Sequence, residues 1–157
     1  MTTIAPPDAL TIGYLTGQHF AWIASMPQFN QCSGLKDFKR LIERKNVIGF
    51  VARVGPTPVG FGAYELTGDV HAGLGQVVVR ELVIAPESRR RGHGAMTLWT
   101  LVRLKLDPGR PYLSLTVDER NLDAQRWLRA CGVKAVNVAR GYFGDRDGIT
   151  FQLRREF

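Results

Sequence analysis

The stretch Gln76 to Ala85 is followed, after Pro86-Glu-Ser88, by three arginines and two glycines, and no other part of the chain constrains its fold as tightly. Val77, Val78, Val79, Leu82, Val83 and Ile84 place apolar side chains on both faces of the strand this stretch predicts. Such a strand belongs in the middle of a sheet covered on both sides. Directly after it come Pro86-Glu-Ser-Arg-Arg-Arg-Gly-His-Gly94, and Gly92 to about Leu106 reads as a helix ended by Asp107-Pro-Gly109. The first turn of a helix has N–H groups without intrahelical partners and the positive end of the helix dipole. Glycines let those amides approach a ligand closely, so the turn suits a diphosphate. Arg89, Arg90 and Arg91 add cations where a helix alone favours acids, an arrangement that an arriving anion would relieve. The plainer reading is a glycine turn with solvated arginines. Other phosphate loops fit worse: no Lys follows the glycines, and Thr97 stands where the third glycine of G-x-G-x-x-G would be.

Around this segment the periodicities order the rest. Leu10 to Leu15 alternates as a strand, and Thr16 caps a short helix to about Met26, where Pro27 stops it. Ser33 is a second cap, followed by Leu35, Phe38, Leu41 and Ile42 on one helical face. Asn46 to Val54 and Val59 to Leu66 read as a hairpin about Gly55-Pro-Thr-Pro58. Leu113, Leu115 and Val117 face one way on a later strand, with Ser114, Thr116 and Asp118 opposite. Asn121 caps a helix with the stripe Ala124, Trp127, Leu128 and Cys131, ended by Gly132. Val133 to Val138 and Ile149 to Leu153 are the last strands, around the loop Ala139 to Gly148. The predicted order is β-α-α-β-β-β-α-β-α-β-β: an α/β (α+β) chain with a mixed, mostly antiparallel central sheet and helices on both faces.

A length of 157 residues predicts one domain spanning 1–157, and 45% hydrophobic residues suffice for a core. The formal net charge is +7, and 16 of the 21 cations are arginines, the cation suited to bidentate phosphate or carboxylate contacts. No apolar stretch approaches the ~18 residues of a spanning helix, so no membrane is expected. The start, Met1-Thr-Thr-Ile-Ala-Pro-Pro7, has neither a basic nor an apolar leader region, and a reduced, cytoplasmic chain is the expectation. Cys32 and Cys131 match no metal spacing, so no metal is expected.

Arg89-x-x-Gly92-x-Gly94, placed after a strand ending Leu82-Val-Ile-Ala-Pro86, resembles the acyl-CoA signature of the GNAT superfamily of N-acyltransferases. Leu10-Thr-Ile-Gly-Tyr-Leu-Thr16 resembles that family's opening strand and turn, and Asn121-x-x-Ala124 before Cys131-Gly132 the start of its later helix. The resemblance implies that acetyl-CoA is the co-substrate, its pyrophosphate held by the amides of Arg91, Gly92, His93, Gly94 and Ala95. It implies further that Leu82, Val83 and Ile84 pair with the pantetheine arm like an added strand, between neighbouring strands that splay apart. Asn121 would contact the cofactor near its reactive end, and Arg89, Arg90 or Arg91 would reach its 3′-phosphate. An amine would attack the thioester directly, with a backbone N–H near Leu82 to Ile84 polarising the carbonyl. The tail Asn121 to Val133 with Arg140-Gly-Tyr-Phe143 is most similar to the RimI-like branch, which acetylates protein N-termini. Two departures matter: Thr116 stands where that branch has a general-base Glu, and Leu128 where it has a Tyr acid.

Proton handling must then come from elsewhere. Glu81 lies inside the central strand beside the cofactor-pairing stretch, and burial there would raise its pKa; pairing with a nearby Arg is the structural alternative. Glu65, Asp118 and Glu119 could act through water but read as solvated turn residues. Tyr142 lies in a Gly-Tyr-Phe-Gly loop and is the candidate acid. His19 and His71 read as structural or solvated. Two alternatives to an acetyltransferase acting on a peptide or small-molecule amine are an acyl-CoA-binding module without turnover and a protein acting on an RNA-linked amine. Against the last, no basic-aromatic strand of an RNA-binding motif is present, and nucleic acid is not an expected partner.

Overall fold

The computed structural model describes residues 9–27 and 34–157. Its strands are β1 (Leu10–Tyr14), β2 (Val47–Val54), β3 (Thr57–Thr67), β4 (Gln76–Ile84), β5 (Tyr112–Asp118), β6 (Lys134–Ala139) and β7 (Gly148–Arg154). Its helices are α1 (Phe20–Ala24), α2 (Gly34–Ile42), α3 (His93–Lys105) and α4 (Leu122–Ala130), with 3-10 turns at Gly17–His19 and Pro86–Ser88. The element order is the expected one. The strands bond in the order β1-β2-β3-β4-β5-β7-β6, so the strand apolar on both faces, β4, is the central one. Pairing is antiparallel for β1–β2, β5–β7 and β6–β7. It is parallel for β4–β5, which α3 connects as a crossover. Among the described residues no helix is long and apolar enough to cross a membrane.

The chain divides into two compact units, Met1–Tyr64 with Glu81–Leu101, and Glu65–Arg80 with Val102–Phe157. In the first, Ile23, Met26 and Phe38 pack on Val47, Val51, Phe61, Ala63 and Ala85. The Phe38 and Phe61 rings meet edge-on at 5.2 Å. The helix expected from Thr16 to Met26 divides into a 3-10 turn and the five-residue α1. The cause lies in His19. Its buried ring accepts the Thr16 N–H at Nδ1 (2.9 Å), while Nε2 lies 2.7 Å from the Arg53 guanidinium of β2. The Thr16 bond gives His19 a structural role, and a residue 34 positions away lies against its other nitrogen. The proposed cap Ser33, like Cys32, lies outside the described residues.

In the second unit the α4 stripe differs from expectation. Leu128 is fully buried and Gln125 is also buried, while Ala124, Trp127 and Cys131 are half-buried. Gln125 tolerates burial because its Nε2 donates to the Glu119 carbonyl at 2.9 Å. Asn121 caps the helix as expected, its Oδ1 accepting the Ala124 N–H at 3.1 Å. At the other end Gly132 N–H donates to Arg129 O and Val133 N–H to Leu128 O, each at 3.0 Å. The residue at the RimI-like acid position is therefore core. Leu128→Ala should destabilise the protein by about 2–5 kcal/mol, read as a lowered denaturant midpoint at unchanged slope.

Candidate active site

The turn between β4 and α3 is built to present amides. Pro86–Ser88 makes one 3-10 turn, with Ser88 N–H on Ala85 O at 2.8 Å. Arg90 then takes φ 62 and Gly92 φ 77. A non-glycine residue in the left-handed region carries strain, and such strain gathers where backbone is aimed at a ligand. Gly92 O accepts from Met96 N–H (3.0 Å), which starts α3 and leaves the N–H groups of its first turn without helical acceptors. No acidic residue stands in that turn. A Cβ on Gly92 would meet nothing within 4 Å, so its backbone angle and the open space before it, rather than a clash, demand glycine. Thr97, buried, donates back to His93 O at 2.7 Å and belongs to the helix interior.

Around the turn, Arg89, Arg90 and Arg91 are exposed. Arg89 folds back, its Nε donating to Ile84 O at 3.2 Å, whereas no carboxylate among the described residues pairs with Arg90 or Arg91. The Nδ1 of His93 is buried with no hydrogen-bond partner. Between Arg90 and Ala95 the chain thus holds an orphaned imidazole nitrogen, amides without intrahelical acceptors and guanidinium groups without a carboxylate partner among the described residues, a set that fits the diphosphate of a coenzyme A.

Upstream, a Cβ on Gly60 would lie 2.7 Å from Val83 O, and one on Gly62 would run into Glu81 O. The carbonyls of Glu81 and Val83 therefore face β3. Because successive residues of a strand alternate, the backbone groups of Leu82 and Ile84 face the opposite edge. Arg89 occupies Ile84 O, and the parallel register with β5 ends at Val79↔Leu115. Leu82 thus offers an N–H and a C=O at the position assigned to pantetheine. The Glu81 carboxyl is pushed above the ordinary carboxylate range by burial, and no cation among the described residues pairs with it.

Arg80, its neighbour, is the arginine that found a partner. Its Nε and Nη2 reach Glu65 Oε2 at 2.7 and 2.5 Å, and Nη1 donates to the Tyr142 oxygen at 3.3 Å. Burial, the largest single influence, works against the Arg80 charge, but the hydrogen bonds and charge attraction of Glu65 and Tyr142 together outweigh it and hold the guanidinium above its ordinary value. Tyr142 is half exposed, its ring edge-on to Phe143 at 4.9 Å. Below them lies Gly148, where a Cβ would meet Thr116 Cγ2 at 2.5 Å and Phe143 and Tyr142 at 3.3 Å; only glycine admits this loop. Thr116 shares a 2.8 Å hydroxyl contact with Thr150, its register partner on β7.

Of the sequence candidates, Glu81, Leu82 to Ile84 and Arg89 to Ala95 belong to one unit, and Asn121 and Tyr142 to the other. The Asn121 oxygen is committed to the α4 cap, leaving its Nδ2 for a ligand. Two residues expected to be solvated are not: Glu65 is paired as above, and Asp118 pairs with Arg146 at 2.8 Å. Reasoning from sequence missed Arg80, although a charge inside an apolar strand was the available signal. Among the described residues no three His, Cys, Asp or Glu side chains come together as a metal site.

A carboxyl whose folded pKa is raised binds its proton more tightly in the folded state. It therefore costs stability at pH values above that pKa, and the cost disappears below the ordinary carboxylate range. Glu81→Gln should accordingly be more stable than wild type near pH 8. The gap should close as the pH falls to about 4, the reference range of a Glu carboxyl, in unfolding midpoints measured across that interval.

The model for the acetyltransferase (GNAT) family matches residues 18–133, a span that contains β4, the arginine turn, α3 and α4. No curated protein is a significant sequence match. Three solved structures illustrate the fold the chain shares. The ribosomal-protein-S18-alanine N-acetyltransferase from Escherichia coli superposes with a TM-score of 0.72 at 18% identity, over 94% of this chain and 95% of that one. Arabidopsis thaliana NAA60 in complex with acetyl-CoA gives 0.71 at 14%, over 92% and 98%. The aminoglycoside N(6')acetyltransferase from Legionella pneumophila gives 0.76 at 10%, over 93% and 92%. With the signature matched across most of its length and the architecture in agreement, the chain belongs to the GNAT family of acetyltransferases and is an acyltransferase.

Proposed function

We propose that this acyltransferase moves an acetyl group from acetyl-CoA to a primary amine, on a peptide N-terminus or a small molecule. Acetyltransferases of this fold use acetyl-CoA, and NAA60 is a neighbour crystallised with it. The observation that carries the reading is the uncapped first turn of α3, flanked by unpaired Arg90 and Arg91 and by the orphaned His93 Nδ1. When bound, acetyl-CoA supplies an activated thioester. The amides of Arg91 to Ala95 would hold its diphosphate, and Arg90 or Arg91 would reach its 3′-phosphate. Leu82, with Val83 and Ile84 beside it, would pair with the pantetheine arm, its N–H polarising the thioester carbonyl.

As the C–N bond forms and the C–S bond breaks, one proton leaves the amine and one reaches sulfur. Glu81 is assigned the first, through water, since burial makes its carboxylate the stronger base. Tyr142 is assigned the second. An α-amine, with a reference pKa of about 8, asks less of such a base than a lysine at about 10.4, which supports the peptide N-terminus as acceptor. A binding module without turnover is the second reading. It is favoured by Thr116 being bonded to Thr150 and by Leu128 being core, so neither RimI-like position carries acid or base.

Acetyl-CoA at about 100 times its Kd should stabilise the protein by roughly 2.7 kcal/mol, or about 5–10 °C in Tm for a chain this size. Gly92→Val should abolish the shift, since a β-branched residue is strained at φ 77 and must move the turn although its Cβ meets no neighbour, and circular dichroism checks that the rest of the fold stands. A folded wild type without a shift would overturn the reading. Glu81→Gln should lower kcat by about 10²-fold at unchanged acetyl-CoA affinity. A shift without free CoA release from any amine would leave the binding module.

A further inference from the structure

We propose that Arg80 is a positioning residue for the acceptor side of the reaction, setting the Tyr142 ring through the hydrogen bond it donates to the phenol oxygen. A guanidinium can only donate. The Tyr142 oxygen is therefore the acceptor in the 3.3 Å contact, and its own hydrogen is left to point at a ligand. Arg80 is itself immobilised, because Nε and Nη2 are both taken by Glu65. Only Nη1 is left, and it is aimed at Tyr142.

The loop backbone does not need Arg80. Gly141 N–H donates to Asp147 Oδ1 at 2.8 Å, Phe143 N–H to Arg146 O at 3.1 Å, and Gly144 N–H to Gly141 O at 3.0 Å. Phe143 and Gly148 fix one side of the Tyr142 residue. What these contacts leave free is the direction of the half-exposed ring, and Arg80 supplies that restraint. Glu65 serves twice, holding the fork in place and neutralising it, so the surface beside Tyr142 presents an O–H donor rather than an unpaired cation. The inference rests on the reading above in one respect, that Tyr142 faces the acceptor.

The test compares wild type, Arg80→Lys, Tyr142→Phe and the double variant. Lysine keeps a charge for Glu65 but loses the fork that reaches two partners. Acceptors are an alanine-initiated peptide, spermidine and an aminoglycoside. Arg80→Lys should leave the acetyl-CoA thermal shift unchanged. It should raise the KM of the preferred acceptor about tenfold, the loss of one charge-assisted hydrogen bond. It should add nothing in the Tyr142→Phe background. The tyrosine ring 13Cζ resonance of Tyr142 should move in Arg80→Lys, while those of Tyr14, Tyr64 and Tyr112 stay put. An unmoved Tyr142 resonance, or additive effects on KM, would overturn the proposal. If wild type shows neither turnover nor a thermal shift, the functional reading fails, and the resonance alone decides whether Arg80 sets the ring.

Discussion

The first-turn N–H groups of α3 have no acceptor inside their own helix, and the chain surrounds them with arginines instead of a carboxylate cap. Much of the architecture answers to that arrangement. A left-handed arginine and a left-handed glycine aim the turn, and β4 delivers it from the middle of the sheet. Left alone, such a helix end is unfavourable, because the dipole and the cations carry the same sign. A bound diphosphate reverses the balance: it satisfies amides and guanidinium groups together. The local energetics are poor without ligand and good with it, which is what a binding site requires.

Several carboxylates near strand ends are handled in the opposite way. Glu65 takes Arg80, Asp118 takes Arg146, and Arg140 lies 3.7 Å from Asp147. Each carboxylate expected to stand free near the end of a strand is neutralised except Glu119, which is exposed. A polycation looking for acidic partners finds few on these strands and loops, whereas the arginine turn keeps its cations for an anion. Three adjacent arginines of the +7 balance stand at the turn where phosphate is expected.

Glu81 stands apart from both patterns. It is a carboxyl with no cation among the described residues, half-buried in the central strand, and burial alone shifts it. A group kept there costs stability at neutral pH, and structural packing gives no return for it. Such a cost is typical of residues retained for chemistry. Thr116 and Leu128, by contrast, are fully explained by a hydroxyl contact and by core packing.

Elements whose cause is local were legible in the sequence. The two-sided apolar pattern of β4, the Asn121 cap and the arginine-glycine turn each depend on residues a few positions apart, and backbone sterics act at that range. Those features are local, and the structure keeps each of them where the sequence places it. What escaped are contacts between residues distant in the chain. Arg80 and Tyr142 are 62 positions apart, Arg80 and Glu65 15, and His19 and Arg53 34. The five-residue α1, the buried Gln125 and the setting of Tyr142 follow from such pairs. Each becomes a partner only after strand register and a loop bring it within reach, and no periodicity records that register. The sequence by itself determined where arginines, glycines and the first amides of a helix gather; the tertiary structure decided that Arg80 is not free like them, because Glu65 and Tyr142 had already claimed it.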